Sequence, residues 1–212
     1  MEEYNADHTA HSVGGTGGHW FRRAFHVGMA IIPLAYYGYG ETIVEMIPFF
    51  TEPIQFVAAV GLFFAIAEAV RIKTGFLIVG QRHYEKHQLS ALGWGAVSLC
   101  ICIIALEPWT PSGVNPGWLG YPLIFSLTFV DPILGEARRA GQPKKTVLGI
   151  GVTAALVIWA ACAVLVDTPW LLVPLMAPLV VAAETPKLKW IDDNATMLLI
   201  PLGALLLLLP LL

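Results

Sequence analysis

Phe129-Val-Asp-Pro-Ile-Leu-Gly-Glu-Ala-Arg-Arg-Ala-Gly-Gln-Pro-Lys-Lys-Thr146 sets a short charged turn between two apolar runs. The first run, 116–132, closes on Asp131, and the second begins at Val147. Two hydrophobic segments joined by so polar a turn read as neighbouring membrane helices. A loop that only fixed topology would need its cations, Arg138, Arg139, Lys144 and Lys145. Asp131 and Glu136 add no topological information, and carboxylates near a bilayer are costly. Hard oxygen donors beside clustered cations suit a Mg²⁺-bound polyphosphate.

Outward from this turn the same pattern repeats. Apolar residues make up 57% of the 212 positions and charged ones 13%, against roughly 25% charged in a soluble domain. Apolar runs fall at about 24–40, 53–72, 90–106, 116–132, 147–166, 169–184 and 194–212. The expectation is an all-α polytopic membrane protein with about seven transmembrane helices. Gly28, Pro33, Gly38 and Gly40 predict kinks in the first run, or an extra partial helix up to Phe50. Residues 1–19, polar and Gly-rich with His8, His11 and His19, predict a flexible tail ahead of one transmembrane domain over 20–212. The histidine spacing fits no metal site, and no signal peptide is expected. Cys100, Cys102 and Cys162 lie in apolar runs and read as small core residues.

Charge orients the chain. Arg22, Arg23, Arg71, Lys73, Arg82, Lys86, Arg138, Arg139, Lys144, Lys145, Lys187 and Lys189 lie in or beside alternate loops. The intervening loops carry Glu41, Glu45, Glu52, Glu107 and Asp167 and no cation. The positive-inside rule then puts the N-terminus in the cytoplasm and, with seven crossings, the C-terminus outside. The segment 73–89 mixes apolar with charged residues, as does a helix lying at the cytoplasmic interface.

Four constellations fall on the cytoplasmic side. Arg22 and His26 are four apart and share a helical face; snorkelling arginines and a packing histidine explain them as well as a site does. Glu68 and Arg71, three apart, form either a structural ion pair or part of a site. Asp131 precedes Pro132, which favours a break where helix meets water, and Gly135 and Gly141 allow close backbone approach to an anion. Glu184 leads to Asp192-Asp193-Asn194 at the start of the last run. One such residue suffices as a helix cap; three hard donors in a row favour Mg²⁺. There is no Walker A, Rossmann, Ser/His/Asp or zinc motif.

The order Arg22-Arg23-x-x-His26, Glu68-x-x-Arg71, Asp131-x-x-x-Gly135, Lys145-Thr146-x-x-Gly149 and Glu184…Asp192-Asp193-Asn194 resembles the CTP-dependent polyprenol kinase family. Dolichol kinase, phytol kinase and yeast-type CTP-dependent diacylglycerol kinase belong to it. The likeness runs from about 20 to 200. Arg23 stands where Lys is usual, and Val130 replaces a Gly. Pro132 follows the aspartate, the loop is shorter, and Gly135-Glu136 replaces Gly-Arg. These departures bear on base preference more than on reaction class.

The resemblance implies an enzyme moving the γ-phosphoryl of CTP, with Mg²⁺, to a polyprenol-type alcohol. Asp131, Asp192, Asp193 and Asn194 would hold Mg²⁺–nucleotide, and Arg22, Arg23, Lys144 and Lys145 the phosphates. Glu136 and Glu184 extend the metal set; Arg71, Arg138, Arg139, Thr146 and Gly135 extend the phosphate set. Asp131, Glu68 and His26 are the candidate bases. Expected partners are a lipid alcohol, a nucleotide and the membrane, prokaryotic or endoplasmic-reticulum, with no nucleic acid; a homodimer stays open. One rival is a CTP:lipid-phosphate cytidylyltransferase, whose Lys-Arg…Lys-Asp…His-Gly-Gly signature is absent. The other is an ion-coupled transporter using Glu68, His26 and Asp131, although a carrier's polar residues should extend through the midplane.

Overall fold

A computed structural model describes residues 12–186 and 188–211; His8, His11 and Lys187 lie outside the described residues. The described chain is helical and contains no strand. Its helices are α1 (Gly15–Gly28), α2 (Ile31–Glu45), α3 (Pro53–Thr74), α4 (Ala91–Leu106) and α5 (Gly120–Phe125). There follow α6 (Asp131–Arg139), α7 (Lys144–Leu165), α8 (Leu172–Glu184) and α9 (Asp193–Leu208).

Each expected apolar run is helical, but four helical stretches are long and apolar enough to cross a bilayer: Pro53–Thr74, Ala91–Trp109, Lys144–Leu165 and Asp193–Leu211. The 13 residues of α8 reach only about 20 Å at 1.5 Å per residue, short of the roughly 30 Å hydrocarbon layer. The run expected over 24–40 divides instead into α1 and α2, which meet at Met29-Ala30. Gly28 ends one helix, and Pro33 falls in the first turn of the next, where a missing N–H is tolerated. Helix α2 continues to Glu45, supplying the extra partial helix.

Helix α1 starts at Gly15, within the segment 1–19. Val13 N–H donates to the Gln81 carbonyl (2.8 Å) and Gly80 N–H to that of Val13 (3.0 Å). Ser12 and His19 are buried. The segment 73–89, expected as an interfacial helix, holds only the 3₁₀ stretch His83–His87. Helix α3 stops because Gly75 takes a left-handed φ of +68° and returns its N–H to the Arg71 carbonyl.

Helices α3, α4, α9, α8 and α7 pack in that order, each on the next, and α6 folds onto α7. Their centre buries Ile103, Leu123, Ile124, Leu127, Met176 and Leu198. Lipid tails are as apolar as these side chains, so association rests on close fit and on interhelical hydrogen bonds. Trp159 Nε1–H donating to Ser126 Oγ (3.0 Å) is one such bond. Leu62, Phe63, Ile66 and Val70 of α3 face outward, as on a lipid-facing helix. All three cysteines are free and buried.

Candidate functional site

Arg22, Arg23, His26, Asp131, Glu184 and Asp193 gather at one end of the bundle. There α5 and α6 form one continuous rod through a π-helical turn, Ser126–Val130. Pro132 has no N–H to return to the preceding turn, so the ladder loosens just before Asp131. His26 Nε2 takes up the Leu127 carbonyl of that turn at 3.0 Å. A carbonyl only accepts, so Nε2 carries the proton.

Asp131 of α6, Glu184 of α8 and Asp193 of α9 converge there, each offering an oxygen, all within 4.8 Å of one another. Asp131 and Glu184 are buried. Cations from other helices close round them. Arg23 Nη1 lies 3.2 Å from Asp131 Oδ2, His26 Nε2 lies 3.6 Å from the same oxygen, and Arg138 bonds Glu184. Oxygens round an octahedral Mg²⁺ at 2.0–2.1 Å are about 3–4 Å apart, so this all-oxygen set fits that ion with a small contraction.

Glu136 lies beside the cluster without joining it. It faces Arg23 (3.4 Å), His19 (3.5 Å) and Arg139 (3.7 Å). Burial and the Arg23 charge lower the His19 pKa from its ordinary value, against the pull of Glu136. Gly135, expected to let the backbone approach an anion, instead lets Arg23 pass: a Cβ there would sit 2.0 Å from its Nη2.

The Asp192-Asp193-Asn194 triplet divides three ways. Asp192 caps α9, accepting the Asn194 N–H at 3.1 Å. Asp193 joins the carboxylate cluster. Asn194 Nδ2–H donates to the Ala91 carbonyl (3.0 Å), tying α9 to α4. Burial, then the neighbouring Asp193, push the Asp192 carboxyl well above the usual carboxylate range, against the opposing charge of Arg22. Arg22 itself reaches Glu85 (3.1 Å) and Asp192 (4.0 Å); burial would lower its pKa, but Asp192 and Glu85 together hold it up.

Glu68 and Arg71 form a separate, closed unit. Arg71 donates Nε and Nη2 to the two Glu68 oxygens, both at 2.9 Å. Ser90 adds its N–H (2.8 Å) and Oγ–H (3.0 Å) to the same carboxylate. The rest of the guanidinium holds the carbonyls of Glu85 (2.8 Å) and Gln88 (2.6 Å). This pair fastens the 76–90 segment to α3. Gly93 leaves room for it, since a Cβ there would stand 2.5 Å from Glu68 Cγ.

Lys144, Lys145 and Thr146 are exposed in the first turn of α7. Cations at that end of a helix are disfavoured by its dipole unless an anion joins them. Glu85, almost fully buried against Arg22 and the Ala91 N–H, is the acid at this end of the bundle that the motifs miss. Its signal in the sequence is slight: one acid among His83, Tyr84, Lys86 and His87. No protein-family model, curated protein or solved structure matches this chain.

Proposed function

We propose that this protein is a membrane lipid kinase, moving the γ-phosphoryl of a nucleoside triphosphate to the hydroxyl of a polyprenol-type alcohol. The observation that carries the reading is the meeting of Asp131, Glu184 and Asp193, from three helices, with Arg23 and Arg138 against them. Phosphoryl transfer asks little covalent chemistry of a protein; it asks for positioning and for neutralised charge. Asp131, Glu184 and Asp193 would hold Mg²⁺, which would supply positive charge to offset that of the transferred phosphoryl group. Arg23 and Arg138 lie against the acids, Arg22 lies against the neighbouring Asp192, and Lys144 and Lys145, exposed at the start of α7, would offer a landing point for a polyanion. The resemblance of the motifs points to CTP as donor. Positive-inside charge supports a cytoplasmic position for this end, with the lipid hydroxyl arriving from the bilayer.

The test is phosphate transfer from γ-labelled CTP, with Mg²⁺, to a panel of lipid alcohols by the purified protein. A labelled lipid monophosphate with CDP released is the expected result. Pyrophosphate released with a CDP-lipid would make the protein a cytidylyltransferase. No turnover by folded protein with any nucleotide or acceptor would favour a transporter.

A further inference from the structure

A cavity of about 140 Å³ opens beside the carboxylate cluster, between α1, the 78–81 segment and the start of α4. Phe25, Met29, Val79 and Leu92 make its walls apolar, while Arg22, His26 and Gln81 put polar groups on its lining. His26 belongs to both places: it lines the cavity and its Nε2 stands 3.6 Å from Asp131. The rim is exposed and apolar, with Phe21, Phe25 and Val79 each about half exposed. A second mark of a ligand is Gln81. It is only 4% exposed, its Oε1 accepts the Ile78 N–H (3.1 Å), and its Nε2 has no partner among the described residues. A buried amide donor left unsatisfied is destabilising, and a bound oxygen would relieve that cost. The backbone of Gln81 is pinned by Val13, so the amide is held where it lies.

We infer that this cavity is the acceptor site, taking the hydroxyl end of a single-chain lipid alcohol that enters from the bilayer between α1 and the 78–81 segment. The inference rests on the kinase reading above. An apolar cavity of this size holds a benzene-sized group, so it seats the first carbons of a chain whose remainder stays in lipid. The lining is mostly carbon, with polar side-chain groups only from Arg22, His26, Gln81 and Asn194. That suits an apolar chain ending in one hydroxyl better than the several donors and acceptors of a nucleobase edge. The same geometry ranks the bases. Glu68 is fully occupied by Arg71 and Ser90, and Asp131 faces Arg23. His26 has its Nε2 proton directed at Leu127 and Asp131, which leaves Nδ1 as the acceptor nitrogen. In the transfer the alcohol O–H proton passes to Nδ1. The oxygen forms its bond to the γ-phosphorus, the bond from that phosphorus to the bridging oxygen breaks, and the nucleoside diphosphate leaves. Gln81 is a positioning residue, donating Nε2–H to the acceptor oxygen.

The experiment uses the full-length protein in lipid nanodiscs with geranylgeraniol bearing a photoreactive diazirine near its hydroxyl. Labelled peptides from α1 and 76–92, protected by unmodified geranylgeraniol and not by CTP, are expected. Met29→Trp and Gln81→Met should raise the KM for the alcohol about tenfold and leave that for CTP unchanged. His26→Gln should lower kcat about 10²–10⁴-fold, the span of general-base catalysis. Label at these sites without any transfer would uphold the cavity as a lipid site and sink the kinase reading. Transfer with label mapping elsewhere, or a rise in the KM for CTP alone, would overturn the acceptor site, the second result making it a nucleobase pocket. Because labelling uses the wild-type chain, misfolding of a variant cannot mask the answer.

Discussion

Glu68 and Asp131 are both buried carboxylates at the same end of the bundle, and each meets an arginine, yet their surroundings differ in kind. Glu68 faces one guanidinium through two bonds, and a serine supplies two more donors. Around Asp131 the protein instead collects like charges, with Glu184 and Asp193 inside 4.8 Å. At that separation and an effective dielectric of 20, two bare carboxylates repel by about 3 kcal/mol. One site is closed by its own partners; in the other, more open one, three acids from three helices share Arg23, His26 and Arg138.

The largest expected effect falls on the open site. Asp131→Asn should reduce transfer from CTP about 10³-fold, the scale of losing one preorganised charge. Thermal unfolding in detergent should stay close to that of the wild type, since the change removes repulsion along with an arginine partner. Near-normal turnover would show that Asp131 plays no part in the chemistry. Collapse of the fold would make it a second Glu68.

The converse substitution belongs to the closed site. Glu68→Leu leaves the Arg71 guanidinium buried without its counter-ion, which costs about 3–5 kcal/mol. Denaturant titration in detergent should register that loss, and whatever protein remains folded should still bind nucleotide. A shift below about 1 kcal/mol would erase the contrast between the two sites.

Residue spacing predicted that these groups share one side, and the structure brings Arg22, Arg23, Asp131 and Glu184 into contacts at one end of the bundle. Spacing could not tell the two sites apart. Glu68-x-x-Arg71 reads equally as ion pair or ligand, and only the approach of Ser90, distant in sequence, decides that it is closed. The Asp192-Asp193-Asn194 run looks like one metal motif, but a turn of helix points its three side chains to a cap, a cluster and a carbonyl on α4. Seven apolar runs were legible by composition; that α8 is too short to cross unaided depended on where Pro169 and Thr185 let the helix begin and end. Glu85 and Gln81 stayed hidden because burial in a loop leaves no periodicity to detect.

A smaller effect tests how the open site is held apart. Gly135→Ala would drive a methyl against Arg23 Nη2 at 2.0 Å. Overpacking of this kind costs about 1–3 kcal/mol unless the side chain swings away, and an Arg23 that swings away deserts Asp131. Lower transfer at nearly unchanged stability is the expected pattern. Gly149→Ala, where nothing lies within 4 Å of the added carbon, is the control and should stabilise α7 by up to about 1 kcal/mol. Equal behaviour of the two variants would detach Gly135 from the arginine.

The smallest effect, and the one of least obvious sign, belongs to Asp192. Its carboxyl is raised by burial and then by Asp193, while Arg22 at 4.0 Å pulls the other way. An acid whose pKa is higher in the folded chain than its unfolded value of about 3.9 stabilises the fold most when protonated. That contribution is complete below about pH 3.9 and is lost as pH climbs through the raised folded value. Asp192→Asn keeps a competent cap for α9, since Asn and Asp cap about equally well, and it does not titrate. Measured against this variant, the wild type should therefore lose melting temperature as pH rises above about 4, toward the raised folded value. If instead the variant is the less stable at neutral pH, the attraction to Arg22 outweighs burial and the repulsion from Asp193. Asp192 would then belong with Glu68, as an acid the fold has already matched to a cation.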